Sequence, residues 1–332
     1  MHGLLLSRKA YLRMLSRIAG MGFLVVAVDA AGHGDTGRLP SDACGFTDRA
    51  DSVLRTLDAL GIGQALFVGH SMGGRMTIQL AARAPERVLA AVLFDPAAGA
   101  RFDTTIPTLV KSPTKALGAA YTAIRDTLGD PTQFSAEEQF GYFRVLAAVA
   151  VPNLRYPLGA VRTIKAIIES GDYTPMLHTM RDEGMPTKVV HAEKDMIVPL
   201  PHARELANAS DATLYKVPNA YHSWMIANPR QGADAFRQLL DGELGEVLRN
   251  APTQWASRTS MTTRRGSANC WTPTRWYCSS STVATELKSG PRSSTMSNSS
   301  WCAVRSVRRN GFPGLDECIA GGRPSTCIRR DR

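Results

Sequence analysis

Residues 69–74 read Gly69-His70-Ser71-Met72-Gly73-Gly74. The pattern G-x-S-x-G suits a serine held on a sharp turn between a strand and a helix. Such a turn strains the serine backbone and presents its hydroxyl. Side chains at positions 69 and 73 would collide there, which accounts for glycine at both. A helix starting near Met72 would aim free N–H groups and its positive end at the same point. The chemistry this predicts is nucleophilic attack by Ser71. The pattern alone is weak, since the Gly and Ser content gives about 0.2 chance matches in a protein of this size. Context strengthens it: the apolar run Ala65-Leu66-Phe67-Val68-Gly69 precedes it and a helical pattern follows. The bland alternative is a glycine-rich turn that binds nothing.

The elements that must position this serine come next. Leu24–Asp29, Ala65–Gly69, Val88–Asp95, Thr187–His191 and Thr213–Val217 read as short, continuously apolar or β-branched strands. Helical patterns at Lys9–Ala19, Thr47–Leu60, Met72–Ala84, His202–Asn208 and Gly232–Leu248 fall between and after them. Buried strands alternating with helices predict an α/β fold, a mostly parallel sheet covered by helices on both faces. Ligands in such sheets sit at the carboxyl ends of strands. From about residue 100 to 185 the strand pattern stops, and helical patterns at Pro113–Leu128, Ala136–Val151 and Leu158–Ser170 replace it. This segment reads as a helical lid over that edge, or as a purely structural subdomain.

At this point the sequence resembles the α/β-hydrolase family, from residue 2 to about 248. His2-Gly3 is similar to the family's HG oxyanion turn. Asp29-Ala30-Ala31-Gly32-His33-Gly34-Asp35-Thr36 is similar to its D-x-x-G-H-G-x-S/T loop, and Gly69–Gly74 to its nucleophile elbow. His191–Pro199 is similar to the segment carrying the acid, and Asn219–Ser223 to the loop carrying the base. Five motifs in family order are far more specific than any one of them.

The resemblance implies the chain order Ser, acid, His, which here gives Ser71, Asp195 and His222. A serine hydroxyl needs a base, and histidine's pKa suits that role. The carboxylate would hold the imidazole in the right tautomer. Asp195 and His222 each follow a strand, so both reach the same edge as Ser71. The resemblance also implies two oxyanion donors, the backbone N–H groups of Met72 and Leu4. Asp95 ends a strand as well and is an alternative acid; otherwise it caps a turn. His70 is expected to face away from the triad, His33 to be structural and His191 to be packed in its strand. His178 and His202 lie on helical stretches without a partner pattern.

A serine nucleophile argues against dehalogenase and epoxide hydrolase chemistry, which use aspartate in this family. Hydrolysis of an ester or thioester through an acyl-enzyme fits best. Cofactor-free perhydrolysis and carbon–carbon bond hydrolysis use the same triad, and a non-catalytic scaffold is the remaining alternative. No G-x-x-x-x-G-K or G-x-G-x-x-G is present, so no cofactor is expected, and no metal. The expected partner is a small-molecule substrate, its acyl group apolar because the lid is rich in Ala, Leu, Ile and Val.

Composition bounds the rest. With 332 residues, 44% hydrophobic, a sizeable core is available. No apolar run nears the roughly 18 residues of a membrane span. Leu4–Leu6 is too short for a signal-peptide core, which predicts a cytoplasmic chain. The net charge of +10 would suggest a nucleic-acid or membrane partner, yet residues 251–332 carry 13 Lys+Arg against 4 Asp+Glu. Residues 1–250 are therefore almost neutral and read as the hydrolase domain.

The segment 251–332 is a different kind of sequence, rich in Ser, Thr and Arg, with five of the six cysteines. It resembles a GC-rich gene translated out of frame and is expected to be disordered. A nucleic-acid arm stacking bases on Trp255, Trp271, Trp276 and Trp301 is the lesser alternative. Cys270-x₇-Cys278 and Cys318-x₈-Cys327 are wrong spacings for zinc. An odd number of tail cysteines in a cytosolic chain argues against disulfides. Cys44 reads as an inert loop or core residue. The family also has strands before its HG turn, one of them lying between the strands at Leu24 and Ala65. With HG at positions 2 and 3, those strands are expected to be missing and the middle of the sheet open.

Overall fold

The computed structural model describes residues 1–36, 45–129, 136–155, 157–251, 275–279, 301–305 and 328–331. Cys44, Trp255, Trp271 and most of the segment after 251 lie outside them. A 3₁₀ turn, Arg8–Tyr11, leads into α1 (Leu12–Gly20), β1 (Leu24–Val28), α2 (Phe46–Ala59), β2 (Ala65–His70), α3 (Met72–Arg83) and β3 (Val88–Phe94). Five helices follow: α4 (Ala100–Lys111), α5 (Pro113–Gly129), α6 (Ala136–Arg155), α7 (Pro157–Glu169) and α8 (Thr174–Asp182). The chain then forms β4 (Thr187–Ala192), α9 (Leu200–Ser210), β5 (Thr213–Val217), α10 (Trp224–Ala227), α11 (Pro229–Leu240) and α12 (Glu243–Asn250). Three short strands complete it: β6 (Arg275–Ser279), β7 (Trp301–Arg305) and β8 (Arg329–Arg330).

β2, β3, β4 and β5 are parallel and adjacent in that order, with β8 antiparallel on the outer edge of β5. The strands' apolar residues bury both faces of this sheet. In β3, Ala91 and Leu93 join the core under α2, α3, α8 and α9. Ala90, Val92 and Phe94 face the core shared with α1, α10 and α11. The period of two thus supplies two cores from one strand. This is the expected α/β class, a mostly parallel sheet with helices on both faces.

β1 lies in a second sheet, paired antiparallel with β7, which pairs in turn with β6. Met1 occupies the free edge of β2: its amino group donates to the Val68 carbonyl (2.6 Å) and its carbonyl accepts the His70 N–H (3.1 Å). One residue thus satisfies part of an edge that would otherwise leave backbone groups unpaired.

The five-helix insertion is pinned to α3 by Arg75, which is fully buried. Its guanidinium pairs with Asp103 near the insertion's start and donates to Ser170 Oγ (2.9 Å) and the Gly171 carbonyl (2.7 Å) near its end. The Tyr173 ring lies 3.6 Å from the guanidinium carbon. One side chain therefore ties both ends of the insertion to the helix behind Ser71. Sequence patterning does not single out α4 or α8. The pattern Gly232–Leu248 predicts one helix, yet the chain breaks it at Asp241–Gly242. At Gly245 the Leu240 carbonyl oxygen comes so close that a Cβ would lie 1.9 Å away, a turn only glycine permits.

Candidate active site

Ser71 joins β2 to α3 with φ 54° and ψ −116°. Such a conformation costs a non-glycine residue of order 1–3 kcal/mol and persists only when its surroundings enforce it. Here they do. The Ser71 N–H donates to the Phe94 carbonyl (2.9 Å), and the Ser71 carbonyl accepts N–H groups of Gly74 (2.9 Å), Arg75 (3.2 Å) and Ala97 (3.1 Å). The two pattern glycines are required by close approach. A Cβ on Gly69 would lie 2.2 Å from the Gly73 carbonyl oxygen, and one on Gly73 would lie 2.3 Å from that of Met1. The serine is left 8% exposed, at the N-terminus of α3.

Asp195 lies three residues beyond β4. Its Oδ1 accepts the N–H groups of Ile197 (2.8 Å) and Val198 (2.7 Å), which fixes the carboxylate plane. Its Oδ2 accepts His222 Nδ1–H at 2.7 Å. With the proton on Nδ1, the neutral imidazole keeps its Nε2 lone pair as an acceptor. Burial alone would lower the His222 pKa, but the adjoining Asp195 carboxylate carries it up to about 9. Burial alone would raise that of Asp195, but the charge and hydrogen bond of His222 hold it below the ordinary carboxylate value.

Asp95 is fully buried at the end of β3 and is held differently. Its Oδ1 accepts the Ala192 N–H (2.8 Å) and its Oδ2 the indole N–H of Trp224 (2.8 Å). Burial, reinforced by the negative charge of Asp195, pushes its pKa well up. The two neighbouring carboxyls are thus driven in opposite directions, Asp195 down by its histidine and Asp95 up by burial. Ligand atoms of Asp95, Asp195 and His222 all lie within 4.8 Å of one another, the separation of a metal-binding cluster. Each of their four carboxylate oxygens already accepts a hydrogen bond, so the donor set suits an acid–base site better than a cation.

The turn before the helices sits over Ser71. His2 Nε2 accepts the Ala30 N–H (2.8 Å), so its Nδ1 carries the proton donated to the Gly3 carbonyl (2.8 Å). A Cβ on Gly3 would lie 3.3 Å from that of Ser71. Leu4 follows in the same turn, and Met72 opens α3, where the first N–H groups have no partner within the helix.

His70 does not turn away from the site. Its ring lies 4.8 Å from that of His222, and its Nε2–H donates to the His222 carbonyl (2.9 Å). Its Nδ1 accepts from Tyr11 Oη (2.6 Å), which itself accepts the Gly3 N–H (3.2 Å). Burial lowers the His70 pKa to about 3, so it stays neutral in this chain. The turn at Gly3 and the loop at His222 are thus joined through two side chains. His191 is fully buried in β4 and bonds the Val198 carbonyl (2.7 Å). His33 packs against the His2 ring at 5.2 Å. His178 and His202 lie on α8 and α9.

Sequence reasoning missed Asp126, on the last turns of α5. It is fully buried and accepts the His222 N–H on Oδ1 (2.9 Å) and the Met196 N–H on Oδ2 (2.8 Å). Its partners are backbone groups, which leave no mark on sequence.

This fold has parallels among known proteins. The family model described as the alpha/beta hydrolase fold matches residues 1–229. A Mycobacterium phage D29 protein with the provisional name non-heme haloperoxidase is 41% identical over 245 residues, covering 70% of this chain and 84% of its own. A monoacylglycerol lipase of Mycolicibacterium smegmatis is 28% identical over 231 residues, 67% of this chain and 79% of its own. Among solved structures, a carboxylesterase from Nitrososphaera gargenis superposes with a TM-score of 0.58 at 18% identity, covering 75% of this chain and 89% of its own. The chain belongs to the α/β-hydrolase fold family and is a hydrolase of that fold. Among the described residues no helix is long and apolar enough to cross a membrane.

Proposed function

We propose that the protein is a serine hydrolase that cleaves a small-molecule carboxylic ester by way of an acyl-enzyme. The observation that carries this reading is the strained Ser71 turn on the same sheet edge as the His222–Asp195 hydrogen bond. In this mechanism Ser71 Oγ attacks the ester carbonyl while His222 Nε2 takes its proton. Asp195 holds the imidazole tautomer and stabilises the imidazolium that forms. The N–H groups of Met72 and Leu4 receive the developing oxyanion, a role worth about 10²–10³ in rate for each donor. The imidazolium then protonates the leaving alcohol, and the acyl-enzyme is hydrolysed by water activated on the same histidine.

The lid reading of residues 100–185 belongs to this proposal. It is supported by α5, whose buried Asp126 touches the loops of both Asp195 and His222. An apolar acyl group fits the Ala, Leu, Ile and Val content of this insertion. The test is turnover of p-nitrophenyl esters of increasing acyl length. A pre-steady-state burst of p-nitrophenol is expected, abolished in Ser71→Ala. Full activity in that variant would overturn the reading.

The phage relative's name favours a second reading. Hydrogen peroxide in place of water would convert the same acyl-enzyme to a peracid, which would oxidise a halide. Halogenation that requires peroxide, a carboxylic acid and Ser71 together would support it.

A further inference from the structure

We propose that Asp126 is a positioning residue: from the last turns of α5 its carboxylate holds the acid loop and the base loop in register. Docking of the helical insertion thereby becomes a condition of catalysis. This rests on the reading of His222 as the base and Asp195 as the acid.

Three observations converge on it. First, the two oxygens of one fully buried carboxylate are divided between the two loops. Oδ2 takes the Met196 N–H, one residue beyond the acid, and Oδ1 takes the N–H of His222 itself. Second, the same helix end meets the base loop at a second point. The Tyr221 ring lies so close to Gly129 that a Cβ there would be 2.7 Å from it. Third, α5 is braced at this turn from behind, where the buried Tyr142 of α6 donates to the Thr127 carbonyl (3.2 Å).

The remaining contacts of the loops explain why the carboxylate is needed. The Asp195 side chain fixes the acid loop through Ile197 and Val198 and reaches the base loop through the imidazole of His222. The base loop is held by the bond from His70 to the His222 carbonyl and by the Lys194 N–H on the Ala220 carbonyl (2.9 Å). Neither fixes the His222 N–H. Asp126 supplies that restraint from outside the sheet. Without it the ring can tilt about the carbonyl anchor. A misplacement of about 1 Å in a reacting group lowers rate by about 10²-fold.

The test uses the full chain with Asp126→Asn, Asp126→Ala and Gly129→Ala. Asparagine is nearly isosteric but offers one acceptor, so its amide must oppose one of the two N–H groups. Alanine at 129 favours the helix while pushing the Tyr221 ring away, so it alters register without loss of fold. Each is read by the rate constant for fluorophosphonate labelling of Ser71, by kcat and KM, and by the thermal midpoint.

The expected result is a fall of about 10–100-fold in labelling rate and kcat with KM little changed, including in Gly129→Ala with an unaltered midpoint. Labelling and kcat within about twofold of the parent in Asp126→Asn and Gly129→Ala would overturn the proposal. Ser71→Ala and His222→Ala run alongside. If they too label or turn over normally, the functional reading fails. If they are dead while the α5 variants are normal, only the positioning role fails.

Discussion

Asp195→Asn is the substitution whose consequences the geometry defines most fully. The carboxylate's Oδ1 accepts two backbone N–H groups, from Ile197 and Val198. An asparagine must keep its single carbonyl oxygen there, because its NH₂ cannot accept from them. That places the NH₂ against His222 Nδ1. The neutral imidazole then accepts on Nδ1 and carries its proton on Nε2, the tautomer that cannot take the proton of Ser71. A wrong tautomer of this kind costs about 10⁴ in kcat in serine hydrolases of other folds. The same change removes the charge that raises the His222 pKa from 6.5 to about 9. That shift corresponds to about 3 kcal/mol at roughly 1.4 kcal/mol per unit. Because the folded-state pKa is the higher, this stabilisation is full below pH 6.5 and disappears as pH rises through about 9. The assay is ester turnover together with chemical denaturation at pH 6 and above pH 9. The variant is expected to lose about 10⁴ in kcat and most of 3 kcal/mol at the lower pH, with the stability gap closing at the higher. A kcat within about tenfold of the parent, or a stability gap that widens with pH, would refute the reasoning.

Further outcomes follow from the same contacts. The acid limb of kcat/KM should have its midpoint above 6.5, displaced toward the His222 value of about 9, and a pH-rate profile reads it directly. Arg75→Met leaves Asp103 buried without its cation and frees both ends of the insertion; the urea midpoint should fall by the equivalent of about 3–5 kcal/mol. Tyr11→Phe removes the acceptor of the Gly3 N–H and the donor to His70; a stability loss of about 1–3 kcal/mol is expected by thermal melting, with reduced kcat.

Local rules made much of this molecule legible. The strands at β1 to β5 announced themselves because continuous β-branched and apolar runs can be satisfied only by burial on both faces. The Ser71 turn announced itself because close backbone approach leaves glycine as the sole choice at 69 and 73. Asp195 and His222 were reached through motif order, and the structure sets them 2.7 Å apart. What escaped shares one cause. Asp126 and Arg75 are charged residues, a type that is mostly exposed, so nothing local marks them as buried. The backbone partners of Asp126 lie 70 and 96 residues away, and Arg75 reaches Ser170 and Gly171, 95 and 96 residues away, besides Asp103. The place of His70 in the turn predicts a ring facing away, yet the ring follows the carbonyl of His222. The break at Gly242 hides inside an unbroken apolar period, because the periodicity of α11 resumes in α12.

β1 and β2 also differ in a way that periodicity cannot supply. Both read as buried strands, but they lie in different sheets, with Met1 on the free edge of β2 and β7 paired to β1. Strand order is a tertiary property, and a five-residue apolar run carries no record of its neighbour.

The central claim is that Ser71 is an activated nucleophile. Labelling the purified full chain with a fluorophosphonate and mapping the adduct by mass spectrometry tests it most directly. One adduct is expected, on Ser71, lost in Ser71→Ala and strongly slowed in His222→Ala. An adduct on another residue, or a folded chain that takes no label, would contradict it.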